Sequence, residues 1–294
     1  YSPDAGNESL KEETADTYTF GITMAPQFLE GLQLAIDYYD IEITDAIEQI
    51  DNYKILEQCY DSSFDFGNDN PFCSDISRDS EGQLTQILQR VFNLSEVTTR
   101  GYDLALAYKY DMNDYGSVKF KMDLTHTIEH SKTFEGNDGL ETISYNGELD
   151  SGIFTDVASA SLAWYVGDLR VRWKTKYKGS VVDSNERVAD WIELRDENQA
   201  LLDAGDPDGV ANPETPYYLY YGSYIRHDLS MSYNLEWEKD VDMRFYGGIN
   251  NLFDNQGPFV PNTGDNIASA RGNFASAYGG GVGRYIYLGA QVIF

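Results

Sequence analysis

The stretch Leu169-Arg170-Val171-Arg172-Trp173-Lys174-Thr175-Lys176-Tyr177-Lys178 decides the fold class. Five cations alternate with Leu169, Val171, Trp173, Thr175 and Tyr177. A helix would scatter those cations around its axis, whereas a strand gathers all of them on one face. The same period of two recurs at 224–236, where Ile225, Leu229, Met231, Tyr233 and Leu235 take one side. Arg226, Asp228, Ser230, Ser232, Asn234 and Glu236 take the other, and His227 is the one odd member of the apolar set.

Working outward, the alternation marks 117–127, where Val118, Phe120, Met122 and Leu124 face away from Ser117, Lys119, Lys121, Asp123 and Thr125. It marks 103–110 as well, and the stretches 17–24, 31–43, 155–166, 241–253 and 284–294. This predicts nine strands. Shorter pieces at 84–93 and 141–149 are expected to extend strands.

The connections between these strands alternate in length without a break. Those at 25–30, 111–116, 166–168 and 237–241 are short, and those at 44–96, 131–154, 179–223 and 254–283 are long. Outer-membrane barrels have short periplasmic turns and long extracellular loops. With Phe294 at the periplasmic end, every long connection falls outside the cell. A soluble β-sandwich also alternates, but loops of this length are uncommon in compact soluble domains.

Composition agrees with an all-β transmembrane antiparallel barrel. The chain has 294 residues, with 23 Tyr, 14 Phe and 26 Gly. Its formal net charge of -28, from 49 acidic against 21 basic residues, argues against nucleic-acid binding. The sequence has no run of about 18 apolar residues, as a transmembrane helix requires, but a spanning β-strand needs only about ten alternating ones. No domain boundary or internal repeat interrupts 1–294. Bacterial single-chain barrels use even strand numbers, so an odd count implies further strands upstream. No signal peptide precedes Tyr1, as expected of a processed or shortened start.

Cys59 and Cys73 lie in a polar stretch rich in Asn, Asp and Pro. Close spacing in a loop predicts one local disulfide in an oxidising compartment. With no His nearby, two thiols do not close a zinc site.

Asn251-Leu252-Phe253-Asp254 stands at the end of the penultimate strand, ahead of a last strand that closes the chain. This ending resembles that of TonB-dependent outer-membrane receptors, whose penultimate strand closes with such an element. The final strand, from Gly283 to the terminal aromatic Phe294, is similar too. Leu10-Lys11-Glu12-Glu13-Thr14 resembles a family segment that opens a mid-barrel strand, with Glu12 in place of the usual Pro. Tyr38-Tyr39-Asp40-Ile41-Glu42-Ile43 and the loop with Cys59-Tyr60-Asp61 and Asn70-Pro71-Phe72-Cys73 are family-like as well.

The resemblance implies a 22-stranded barrel of which this chain is the C-terminal portion, about its last nine strands, without the plug domain. It implies location in the outer membrane of a Gram-negative bacterium, among lipid and lipopolysaccharide. It also implies TonB-powered uptake of a scarce nutrient, with the TonB energising complex acting through a plug. The carbohydrate-associated branch of the family is the closest in pattern, so the expected ligand is an oligosaccharide. A ferric siderophore or other metal chelate is the alternative, and a passive pore or structural barrel is a third. No cofactor is expected.

Several residues are candidates for ligand contact. The basic row Arg170, Arg172, Lys174, Lys176 and Lys178 is expected to face the lumen. It meets either an anionic ligand or acidic plug residues, or it pairs with Asp and Glu on neighbouring strands. Loop 179–223 holds ten acids, with Trp191, Arg195, Tyr217, Tyr218, Tyr220 and Tyr221. Aromatics beside carboxylates suit sugar stacking, while Tyr217–Tyr221 equally fit an aromatic girdle at the membrane interface. Tyr60 and Arg271 complete the loop candidates. Asp203, Asp206, Asp208 and Gly209 hint at calcium, but Pro207 interrupts them and a solvated acidic loop is the default. For catalysis, His126 and His130 near Ser131 or Asp123 raise a hydrolase, yet no recognisable triad spacing supports an enzyme.

Overall fold

The computed structural model describes residues 1–49, 52–60, 70, 72–136, 139–211, 219–238, 241–260, 276–279 and 282–293. In chain order the strands are β1 (Asp4–Ala5), β2 (Thr14–Met24), β3 (Leu32–Gln49), β4 (Ile76–Arg78), β5 (Leu84–Ile87), β6 (Gln89–Asp111), β7 (Ser117–Gly136) and β8 (Gly139–Ser144). They continue with β9 (Asp156–Val166), β10 (Leu169–Lys178), β11 (Val181–Val182), β12 (Tyr220–Tyr221), β13 (Tyr224–Glu238), β14 (Val241–Asn250) and β15 (Tyr285–Ile293). Two α-helices, α1 (Asn52–Tyr60) and α2 (Asn185–Asp203), lie in long connections. The main sheet runs in the order β15-β14-β13-β10-β9-β7-β6-β3-β2. Each of the nine expected strands is present in this path.

The chain folds as two compact units. One comprises Tyr1–Tyr18, Tyr39–Arg100 and Glu129–Ser144, and the other Thr19–Tyr38, Gly101–Ile128 and Tyr145–Phe294.

In the second unit the alternation of the sequence becomes two chemically opposite faces. Antiparallel register sets Phe120 against Leu162, Leu162 against Trp173, Trp173 against Leu229, and Leu229 against Ile249. Cross-strand partners share a face, so this row is apolar throughout. Its neighbours are exposed: Met231 is 55% accessible, Ile286 64% and Leu288 87%. Such a continuous apolar surface is what hydrocarbon demands and water does not tolerate. The opposite face carries Lys121, Ser161, Lys174 and Asp228 in one row and Asp123, Ser159, Lys176 and Arg226 in the next. The turn before β7 needs Gly116, whose φ is +83° and whose added Cβ would lie 1.9 Å from the Tyr165 carbonyl oxygen.

The long connections differ from the sequence expectation, because parts of them are structured. In the first unit β3 continues to Gln49 and β6 starts at Gln89, so 44–96 is not one loop. Between them α1 presents Ile55 and Cys59, which pack with Phe72 and Ile87 into a buried cluster. The Cys59–Cys73 disulfide closes this cluster, with Cα atoms 4.8 Å apart. Buried Asp75 accepts a 2.6 Å hydrogen bond from Arg90 Nε.

In the second unit 179–223 is not a loop either, since α2 occupies nineteen of its residues. Ser184 caps the helix by accepting from the Arg187 backbone N–H, and Arg187 pairs with Asp183. Charged residues placed all round this helix hide the apolar period that would have marked it. A second buried cluster joins Leu149, Phe154, Val181, Tyr221, Tyr224, Val260 and Tyr278. β14 ends at Asn250, so Asn251–Asp254, expected at a strand end, form a turn beyond it.

Candidate functional site: a cationic cleft on the polar face

The polar face of the second unit is hollowed into a cleft of about 450 Å³ between β7, β9, β10 and β13. Lys174, Lys176 and Lys178 of β10 line it, with Arg226 of β13. Asp123 is the one acid among the lining residues, and Tyr224 and Tyr278 contribute rings.

The charge pattern here is costly for the fold. Lys176 lies directly opposite Arg226 across the β10–β13 ladder. Like charges at facing positions repel. Lys174, opposite Asp228, and Lys178, opposite Tyr224, flank that pair on the same face. Arg226 has a carboxylate partner, its Nε donating to Asp228 Oδ1 at 2.9 Å. The same oxygen accepts from the Asn251 backbone N–H at 2.8 Å, so Asp228 is held from the turn after β14. Among the described residues no Asp or Glu pairs with Arg170, Arg172, Lys174 or Lys176.

Lys178 closes one end of the cleft. Its ammonium donates to the Ala277 carbonyl and sits 4.9 Å from the Phe154 ring centroid. Tyr278 packs edge-on against Phe154 and Tyr224, at 5.1 and 6.1 Å. Its hydroxyl donates to Gly222 O at 3.1 Å, and burial pushes the phenol pKa up to about 12. The ring therefore stays neutral at any physiological pH.

The other described candidates make contacts of their own. Trp191 sits on α2, and Arg195, one turn on, covers its ring at 5.4 Å while bonding Asp196. Tyr60 accepts a 2.6 Å hydrogen bond from Arg78 Nη2. Each of these two aromatics thus has an arginine partner of its own. Tyr217, Tyr218, Arg271 and Phe294 lie outside the described residues. Asp203 ends α2 and accepts from Gln199 Nε2 at 2.9 Å, and the Asp208 side chain is outside the described set. His126 Nδ1 meets Asp156 Oδ1 at 2.7 Å under the Tyr102 ring. His130 Nδ1 bonds Thr99 Oγ1, and Ser131 Oγ donates to Glu129. Each histidine thus has a partner other than a serine.

Asn251-Leu252-Phe253-Asp254 is a hydrogen-bonded corner. Asn251, 1% exposed, exchanges two 2.9 Å bonds with Asn255. Leu252 N donates to His227 O, and Asp254 Oδ1 accepts from Arg284 N. Arg226 and Tyr278 escaped the sequence reading. The signal for Arg226 was its place in the polar set of 224–236, but only the register shows it facing Lys176.

Among curated proteins none matches the chain significantly. The ferric enterobactin receptor of Pseudomonas aeruginosa, in a mutant form, superposes with a TM-score of 0.54 at 15% identity, covering 98% of this chain and 32% of that one. The FrpB iron transporter of Neisseria meningitidis gives 0.54 at 14% identity, covering 99% and 32%. The siderophore receptor PirA of Acinetobacter baumannii gives 0.51 at 12% identity, covering 99% and 33%. The chain thus spans about a third of the length of these structures, and the likeness is one of fold. The family model for the TonB dependent receptor-like β-barrel matches residues 1–252, and the chain belongs to that family, whose barrels sit in the outer membrane of Gram-negative bacteria.

Proposed function

We propose that this chain is barrel wall and loops of an outer-membrane receptor that takes up an anionic metal chelate of the ferric-siderophore type. The observation that carries this reading is the cationic cleft, with Lys176 facing Arg226 and no carboxylate on Lys174 or Lys176 among the described residues. Like charges held together in a cleft cost the fold stability, and a bound anion relieves that cost. Neutral rings from Tyr224 and Tyr278 beside the cations suit a ligand with aromatic metal-binding arms. The solved structures of similar fold include receptors described as binding ferric enterobactin, which accords with this chemistry.

The oligosaccharide expectation has less behind it than the chelate reading, since the similar solved structures are described as ferric enterobactin and siderophore receptors. The Trp191 ring is faced by Arg195 and the Tyr60 phenol accepts from Arg78, while the Tyr60 side chain stays 46% exposed. The formal charge of -28 does not oppose the chelate reading, because the cleft concentrates cations locally within an acidic chain. Energy for uptake comes from TonB acting through a part of the receptor other than the residues described here. The apolar face meets lipid and lipopolysaccharide.

Binding to the purified full-length receptor tests the reading. A ferric tris-catecholate is expected to bind, and the double variant Lys174→Gln/Lys176→Gln to weaken it by roughly a hundredfold, as for two charge-assisted contacts. Tight binding of a neutral maltooligosaccharide with none of the chelate would sink the proposal.

A further inference from the structure

The basic row does not end at the cleft. Further along β10, Arg170 and Arg172 line a second hollow of about 180 Å³ with Arg244 of β14. Its floor is made by β13. Ser230 lies opposite Arg172 and Ser232 opposite Arg170, and on the other side these serines face Gly248 and Tyr246. Small side chains between two arginine-bearing strands leave a trough with room for an oxyanion group.

Two of the three arginines are propped by rings. Arg170 stacks 5.3 Å from the Tyr165 ring centroid and Arg244 5.9 Å from that of Tyr246. A ring under a guanidinium face fixes the plane and leaves the N–H edge free to donate. Among the described residues no carboxylate pairs with any of the three. Serine and tyrosine hydroxyls in the lining add neutral donors.

We propose that Arg170, Arg172 and Arg244 form a second oxyanion site, a way station that takes an anionic oxygen group of the ligand after it leaves the Lys174–Lys176 cleft. The proposal rests on the anionic-ligand reading. Four residues separate Lys174 from Arg170 along β10, roughly 13 Å of strand, so a chelate of ordinary size can be handed from one cluster to the next. Fork-shaped guanidiniums suit a carboxylate or phenolate in the arginine hollow, whereas the flexible ammonium groups of the lysine cleft suit first capture.

Two measurements on the full-length receptor test this. Crystals soaked in selenate are expected to show anomalous density between the three guanidiniums. In cells, Arg172→Gln/Arg244→Gln is expected to slow radioiron uptake from a ferric tris-catecholate about tenfold. The dissociation constant of that chelate should stay within about twofold, because the variant leaves the lysine cleft intact. Arg172→Lys/Arg244→Lys, which keeps the charge, is expected to recover part of the rate and guards against misfolding of the Gln variant.

Absence of selenate, or an acidic side chain of the receptor itself filling the hollow, overturns the site. Selenate bound with uptake unchanged marks an adventitious ion only and overturns the way station. Loss of equilibrium binding in the Gln variant, with the Lys variant unaffected in fold, would assign the arginines to first capture and overturn it too. No chelate binding to the unaltered receptor would defeat the anionic-ligand reading instead, whatever selenate does.

Discussion

Two folded loop regions accompany the sheet strands, and they hold together by different means. The cluster of Ile55, Cys59, Phe72 and Ile87 is small and closed by a covalent bond. The cluster of Leu149, Phe154, Val181, Tyr221, Tyr224, Val260 and Tyr278 is larger, aromatic and held without one. Its buried polar groups take the place of the disulfide. Glu148, 3% exposed, accepts from the Asn185 backbone N–H at 2.9 Å and so ties the segment before β9 to the start of α2. Tyr221 donates to Asp183 Oδ1 at 3.2 Å, and Asp183 pairs with Arg187. A cross-link restricts the unfolded chain, whereas a hydrogen-bond network acts only in the folded state.

The largest expected effect breaks the covalent side. Cys59→Ala/Cys73→Ala releases a loop closed over a separation of 14 residues. Loop closure of that length contributes about 3 kcal/mol in the chain-entropy model. Hydrogen-exchange protection of α1 and of the β4–β5 hairpin should fall by roughly a hundredfold, while β13 and β14 keep theirs. Unchanged protection would mean that Arg90, bonded to Asp75, and the small apolar cluster suffice alone.

The network side breaks next. Glu148→Ala leaves the Asn185 N–H, at the first turn of α2, without its carboxylate acceptor. An orphaned donor in a buried setting costs about 1–3 kcal/mol. Protection at the start of α2 should fall, with little change at α1. Equal loss in both regions would show that they are not separate cores.

These two regions also mark where sequence reading stops. The sheet was legible because one pattern, period two, decides strand, face and environment together. At 169–178 the five cations alone fix which side meets lipid. The cysteine pair was legible because spacing and local polarity point one way. By contrast, α2 carries Glu186, Arg187, Asp190, Glu193, Arg195 and Asp196 around its axis, and no apolar stripe announces it. The tyrosine cluster draws on residues from 149 to 278, whose meeting depends on tertiary structure alone. The cleft falls between these cases. Its lysines were visible in the row, but Arg226 acquires meaning from cross-strand register, and Tyr278 from a loop far away in sequence.

A smaller effect sharpens the comparison within the aromatic cluster. Tyr278→Phe keeps the ring contacts with Phe154 and Tyr224 but removes the bond to Gly222 O. One neutral hydrogen bond contributes about 1 kcal/mol net. Local protection near Gly222 should drop about fivefold. A much larger loss would place the hydroxyl, rather than the ring, at the centre of the cluster.

The smallest effect separates the two regions by pH. Burial raises the Glu148 pKa above the ordinary carboxylate value, with Asp150 adding to it, and the Asn185 donors pull the other way. Folding therefore binds a proton that the unfolded chain has released, over the window between the ordinary and the raised value. Stability of the aromatic cluster should fall as pH rises through that window and be level below both values. Glu148→Gln cannot ionise, so the pH slope measured by exchange around Leu149 and Asn185 should flatten, while the slope at α1 stays as it was. Retention of the full slope in the Gln variant would assign the proton to another group. The disulfide cluster has no such dependence through its cross-link, since a disulfide does not titrate, and that difference follows directly from using a bond in one region and a buried carboxylate in the other.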